Sequence, residues 1–258
     1  MSEGQVLLTA QGPITTITFD RPAARNAMTW AMYEQLKQHC LTLVEERSTR
    51  VVLFRGAGGE AFVAGTDIAQ FRAFEDGDAG VAYERRIDEG IELIERLPMP
   101  TVAVIDGWAV GGGLAIATAC DFRIATSKSR FGVPIAKTLG NTLSVANMAR
   151  LRAAWALDRV KRMLLLAEII DADEALACGF LHRICATEEL DAAATSLCEK
   201  LTSLAPVTQA VAKEALRRLT HAHLPDGDDL VRQSYGSQDF KEGVDAFVER
   251  RAPRWRGV

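Results

Sequence analysis

The sequence predicts an α/β core followed by a C-terminal helical subdomain. Short apolar runs of strand character alternate with segments of helical periodicity through the first half of the chain. After Ser144 the strand signals fade and helical segments dominate to the end. A length of 258 residues suits one large domain, or one domain with a helical extension. The division falls near residue 195, giving a core over 1–195 and a helical subdomain over 196–258.

Each element has a local reason. Val6 to Leu8 and Ile14 to Phe19 read as strands around a Gln11-Gly12-Pro13 turn, and Asp20-Arg21-Pro22 breaks the pattern. From Thr29, the spacing of Tyr33, Leu36, Cys40, Leu43 and Val44 predicts an amphipathic helix. Val51 to Phe54 is a short strand leading into the flexible run Gly56 to Gly59. Residues 69–80 are polar and Gly-rich and predict a mobile segment. Ile87, Ile91 and Ile94 mark a helix beginning near Val81, stopped by Leu97-Pro98-Met99-Pro100. A strand over Thr101 to Ile105, a glycine triplet, a helix and a strand over Phe122 to Ala125 follow. Pro206 opens a helix through Thr220, and Phe240 to Arg250 forms the last amphipathic helix.

Composition narrows the function classes. A hydrophobic content of 48% with 25% charged residues is that of a folded globular protein. A net charge of -4 gives no reason to expect nucleic acid or a membrane surface as partner. Cys40, Cys120, Cys178, Cys185 and Cys198 are scattered without a CxxC pair, which reads as reduced thiols. The four histidines fall outside every motif, and no metal site is expected. The N-terminal MSEGQVLLTAQG lacks a signal-peptide pattern, and no apolar run approaches the roughly 20 residues that span a bilayer. The expected location is cytoplasmic.

The most informative stretch is TVAVIDGWAVGGGLAIATACD, Thr101 to Asp121. Gly111, Gly112 and Gly113 open a helix, so bare backbone N–H groups sit at the positive end of its dipole. Such a place can hold a phosphate, a carboxylate or an oxyanion formed during a reaction. Close backbone packing explains three glycines equally well. GxGxxG is absent and no GK[ST] follows, so this is neither a dinucleotide fingerprint nor a P-loop. The second motif is AFVAGTDI, residues 61–68, where Asp67 can cap the next helix and the Thr66 N–H is left pointing between segments.

Together with RPAARNAM (Arg21 to Met28) and RFGVP (Arg130 to Pro134), these motifs resemble the crotonase superfamily, the enoyl-CoA hydratase/isomerase family. The resemblance runs from Val6 to about Arg256 and includes the ending RRAPRWRG. It implies a ββα-spiral core, a C-terminal helical trimerisation subdomain, and homotrimers that commonly pair into hexamers. It implies an acyl-CoA thioester substrate, with coenzyme A as part of that substrate and no prosthetic group. The thioester oxygen would lie between the N–H groups of Thr66 and Gly112. CoA contacts would fall on Ala24, Arg25 and Ala27, with Ala64, Asp67 and Ile68 around the pantetheine and thioester. Phe240, Lys241 and Arg254 would meet adenine and phosphate, and Asp121 matches a structural residue. Val244, Phe247 and Val248 supply the apolar face expected at the subunit contact.

The chain departs from that pattern at its acid–base positions. Hydratases of this family carry two glutamates, where this chain has Ala115 and Ile135. The place where some isomerases hold a carboxylate is occupied by Leu143 and Ser144, and the tyrosine used there by decarboxylases is absent. One positioned acid or base contributes roughly 10²–10⁴-fold, so conventional hydration is not expected. Glu84, with Asp88 four residues on, is the candidate replacement, although a solvated face beside Arg85 and Arg86 is the plainer reading. Thr138, Asn141 and Ser144 can hydrogen-bond a substrate or water, and Lys137 can donate a proton if desolvated. Decarboxylation of a malonyl-type thioester or isomerisation fits best. A hydratase using other carboxylates and a silent acyl-CoA-binding oligomer are the competing readings.

Overall fold

Gly12 has a φ of 59°, a conformation natural to glycine, and it turns β1 (Gln5–Gln11) back antiparallel into β2 (Ile14–Asp20). The structure is a computed structural model describing residues 3–258; Met1 and Ser2, within the N-terminal stretch read above, lie outside the described residues. Helix α1 (Trp30–Glu45) starts where the Thr29 side chain accepts the Met32 N–H, and it buries Met32, Tyr33, Leu36, Cys40 and Leu43. Strands β3 (Val51–Gly56) and β4 (Ala61–Val63) follow, then a 3-10 turn over Ile68–Ala73. Asp76 caps α2 (Gly77–Arg96) through the Ala79 N–H. Burying Ile87, Ile91 and Ile94 on one face of α2 stabilises the fold by about 1.5–3 kcal/mol each.

The central part comprises β5 (Thr101–Ile105), β6 (Trp108–Val110), α3 (Gly112–Ala119), β7 (Phe122–Thr126) and β8 (Arg130–Gly132). Next come α4 (Ile135–Thr138), α5 (Val145–Trp155), α6 (Leu157–Leu165), β9 (Ile169–Asp171), α7 (Ala172–Ala177) and β10 (Arg183–Cys185). The chain ends with α8 (Leu190–Thr202), α9 (Pro206–His221), α10 (Asp228–Tyr235) and α11 (Gln238–Val248).

Two sheets result. The larger has the order β1-β2-β3-β5-β7-β10, parallel after the first hairpin; the smaller has the order β4-β6-β8-β9. Strand β5 is buried at every residue, as expected of a parallel strand covered on both faces. One face, with Val52, Phe54, Ala103 and Ile105, packs into the main core with α1, α2 and α3. The other, with Val51, Val102, Val104 and Ile124, is covered by Leu190, Ala194, Leu197 and Leu201 of α8.

Several expectations change. Residues 69–80 form an ordered 3-10 turn and the first turn of α2, with Phe71 buried and Gly80 held against the Tyr235 ring. Strands β9 and β10 lie beyond Ser144, where strand signals were expected to stop. The 195/196 division falls inside α8, a helix that covers the large sheet. Helices α10 and α11 fold back on α2 and on the turn at Ile68–Ala73. Val244 is therefore buried in its own chain, and of the expected apolar contact face Phe247 is the large exposed side chain. Large apolar side chains are also exposed on α9, where Val207, Val211, Leu216 and Leu219 are 64–74% exposed, and at the end of α6, at Leu165 and Leu166.

Candidate active site

The glycine triplet sits where β6 ends against β4, and each glycine has a separate cause. Gly111 has φ 54° and ψ −122°, and its N–H bonds the Gly132 carbonyl at 3.0 Å, continuing the ladder between β6 and β8. A Cβ on Gly112 would lie 2.5 Å from the Tyr33 hydroxyl. A Cβ on Gly113 would lie 1.9 Å from the Val63 carbonyl oxygen, so only glycine lets α3 approach β4 this closely. Close backbone packing, one of the two sequence readings of the triplet, is thus realised at Gly113.

Facing the triplet is the turn Ala64 to Asp67. The Met28 N–H donates to the Gly65 carbonyl at 2.9 Å, and the Asp67 N–H donates to the Met28 carbonyl at 2.9 Å. Gly65, at φ 93°, comes within 3.6 Å of the position a Gly111 Cβ would take. The Thr66 and Gly112 N–H groups donate to no hydrogen bond among the described residues. Val110, Gly111, Gly112 and Ala115 keep partial exposure while Gly113, Leu114 and Ile116 are buried. Unshared N–H groups of this kind can hold an oxygen that gains negative charge.

The loop 21–28 is fixed against that turn by Asn26. This fully buried residue adopts a φ of 58°, a left-handed conformation that asparagine tolerates. Its side chain accepts the Arg21 N–H and donates to the carbonyls of Ala57 and Ala61. The Ala64 N–H donates to the Arg25 carbonyl, so Ala24, Arg25, Ala27 and Ala64 lie along one pair of adjoining segments. Asp67 caps the turn into Ile68 through the Ala69 N–H and pairs with Arg21 at 2.8 Å.

Hydroxyl groups crowd the same place. The Tyr33 hydroxyl lies 2.8 Å from Thr66 Oγ1, which lies 3.0 Å from the Tyr83 hydroxyl. Burial pushes the Tyr33 phenol up to about 12 and the Tyr83 phenol well above its ordinary range. Neither tyrosine belongs to the recognised motifs. Trp30 and Phe71 pack on Tyr83, with ring centres at 5.5 and 5.0 Å.

Glu84 is not on a solvated face. It is 4% exposed; its two oxygens accept the Tyr235 hydroxyl at 2.7 Å and the Ser144 N–H at 2.8 Å. Burial raises its pKa to about 7 despite both bonds. Asp88 pairs instead with Arg150. Ser144 caps α5 through the Asn147 N–H, Thr138 bonds the Pro134 carbonyl, Asn141 donates to the Tyr235 hydroxyl, and Lys137 is exposed. Glu84, Asp88, Thr138, Asn141 and Ser144 thus each hold a neighbouring element of the fold. Asp121 does too, accepting the Thr101 N–H and hydroxyl and the Lys213 ammonium at 2.7–2.8 Å.

Ala115 lies one turn along α3 from Gly112, and Ile135 opens α4 after β8; both are partly buried against the main core. Phe240 corrects its sequence reading. Its ring is 2% exposed, packed on Tyr235 with centres at 4.8 Å, and presents no side-chain surface to a nucleotide. Lys241 and Arg254 line a separate surface cleft of about 480 Å³ with Arg251 and Arg256.

The enoyl-CoA hydratase/isomerase family model matches residues 9–258. The chain belongs to that family. It is 29% identical to the short-chain-enoyl-CoA hydratase of Clostridium acetobutylicum over 97% of each chain. It is 31% identical to the carnitinyl-CoA dehydratase of Salmonella typhi, again over 97% of each. A methylmalonyl-CoA decarboxylase in complex with 2-nitronate-propionyl-CoA superposes with a TM-score of 0.89 at 27% identity, over 98% of each chain. The fold is thus the crotonase α/β fold with C-terminal helices, and the family's members act on acyl-CoA thioesters. No helix among the described residues is long and apolar enough to cross a membrane.

Proposed function

We propose that this protein is an acyl-CoA enzyme that decarboxylates a short malonyl-type thioester through its enolate. The observation that carries this reading is the unshared pair of N–H groups at Thr66 and Gly112, with apolar Ala115 and Ile135 at the positions where the family's hydratases carry glutamates. The thioester oxygen lies between the two N–H groups and takes up the charge as the enolate forms. An oxyanion donor of this kind is worth about 10²–10³-fold. Decarboxylation needs no base to start, since the electron pair comes from the breaking C–C bond. A carboxylate set against apolar Ala115 and Ile135 loses hydration, which favours its departure as neutral CO₂.

Ala24, Arg25, Ala27, Ala64, Asp67 and Ile68 bracket the pantetheine, and Lys241 and Arg254 meet the phosphates of coenzyme A. Glu84 does not take the catalytic base's role in this reading, because both its oxygens already hold α5 and α10 together. Subunits associate through the apolar face of α9 into a trimer or a pair of trimers. The unpaired thiols support a reducing compartment such as the cytoplasm.

Turnover of malonyl-CoA, methylmalonyl-CoA and crotonyl-CoA, measured beside binding of each, tests the proposal. Release of CO₂ from a malonyl-type thioester is expected. Tight binding of the whole panel without turnover would make the protein an acyl-CoA carrier or scaffold. Hydration of crotonyl-CoA alone would make it a hydratase with an unfamiliar base.

A further inference from the structure

An enolate left by CO₂ must be protonated on carbon, and neither Ala115 nor Ile135 can supply that proton. The hydroxyls of Tyr33, Thr66 and Tyr83 form a chain with separations of 2.8 and 3.0 Å, and Thr66 also carries one of the two unshared N–H groups. Two bonds among three hydroxyls use two of the three O–H groups, and the third can turn to the other phenol or away from the chain. Tyr33 and Thr66 are buried, whereas Tyr83 keeps partial exposure. Either oxygen of each pair can donate; with Tyr33 donating to Thr66 and Thr66 to Tyr83, the proton left over is on Tyr83, the member that keeps partial exposure. Both phenols remain protonated at neutral pH, so the donor is loaded before each turnover.

Resting on the decarboxylase reading above, we propose that Tyr83 is the catalytic acid that protonates the substrate α-carbon, with Thr66 and Tyr33 as positioning residues. The bond from the α-carbon to the carboxylate breaks, and its electron pair forms the enolate held by the Thr66 and Gly112 N–H groups. The enolate collapses to the thioester as its α-carbon takes the Tyr83 proton. The phenolate regains a proton from water, directly or through the Thr66 and Tyr33 hydroxyls. The net change consumes one proton from solvent and releases one CO₂. Protonation from a fixed group occurs on one face of the planar enolate, which a purely structural tyrosine would not impose.

The test is decarboxylation of methylmalonyl-CoA in D₂O, with the configuration of the 2-deuterio product read by NMR. The parent is expected to give one enantiomer. Tyr83→Phe keeps the ring packing; it is expected to form product roughly 10²-fold more slowly and as a mixture of both enantiomers. Thr66→Val, which keeps the N–H and loses the hydroxyl, is the second variant and is expected to give a partial mixture. Circular dichroism and CoA binding establish that each variant is folded. A single enantiomer at the parental rate from both variants overturns the role of Tyr83 while leaving the decarboxylase reading intact. No CO₂ from the parent overturns that reading, and this assignment with it.

Discussion

Replacing Glu84 by glutamine should remove a specific pH dependence of stability. The carboxyl is buried among Tyr235, Ser144 and the aromatic cluster, and its pKa rises from 4.5 to about 7, chiefly because burial penalises the charge. A raised folded-state pKa means that the folded protein holds this proton more tightly than the unfolded chain does. Stability from this group is therefore fully present below pH 4.5 and is lost as pH climbs through 7. Over pH 5 to 8 the loss amounts to about 2–3 kcal/mol, or roughly 5–10 °C in melting temperature for a chain of this size. Glutamine can replace the hydrogen bonds. Its oxygen accepts the Ser144 N–H, its NH₂ donates to the Tyr235 oxygen, and a flip of the Asn141 amide, whose Oδ1 is buried without a partner, puts that oxygen where Nδ2 now donates, to accept the Tyr235 proton. Melting curves of both proteins at fixed concentration between pH 5 and 8 should show the parent falling relative to a flatter Glu84→Gln. Parallel profiles would refute the reasoning, since Glu84 would then titrate alike in the folded and unfolded chains.

Other consequences follow from the same geometry. Gly113→Ala should cost about 3 kcal/mol or more, because its Cβ would meet the Val63 carbonyl at 1.9 Å and backbone cannot yield; urea unfolding measures this. Ala115→Glu with Ile135→Glu, if folded, should gain crotonyl-CoA hydration beyond either single variant, because water must be held and protonated by the pair. Val211→Asp with Leu219→Asp, on side chains 64% and 74% exposed, should shift sedimentation from oligomer to monomer with circular dichroism unchanged.

Much of this was legible in the sequence, because the strongest signals are local. Helices α1, α2 and α9 announce themselves by apolar spacing and by Thr29, Pro206 or a proline stop. Strands β4, β6, β8, β9 and β10 are three residues each, too short for a period of two to register. The polar composition of residues 69–80 suggested mobility, yet Phe71 and the glycines at 77 and 80 are what allow α10 to close over α2. The recognised motifs lie on adjoining segments, since β4, which leads to Thr66, pairs with β6, which leads to Gly112. Tyr33, Tyr83 and Tyr235 carried no signal, because a tyrosine at helical spacing reads as core until its hydroxyl's partner is known. Glu84 misled for a related reason: its neighbours Arg85 and Arg86 point outward while it points in.

The claim on which the account rests is that a thioester carbonyl lies between the Thr66 and Gly112 N–H groups. Isotope-edited infrared spectroscopy of a bound acyl-CoA carrying ¹³C at that carbonyl measures it directly. Two donors should draw electron density onto the oxygen and move the carbonyl band to lower frequency on binding. The shift should diminish in Gly112→Pro combined with Tyr33→Phe, which removes one N–H and the hydroxyl the added ring would strike. A thioester that binds the parent with its carbonyl band where it stands in water would contradict the account.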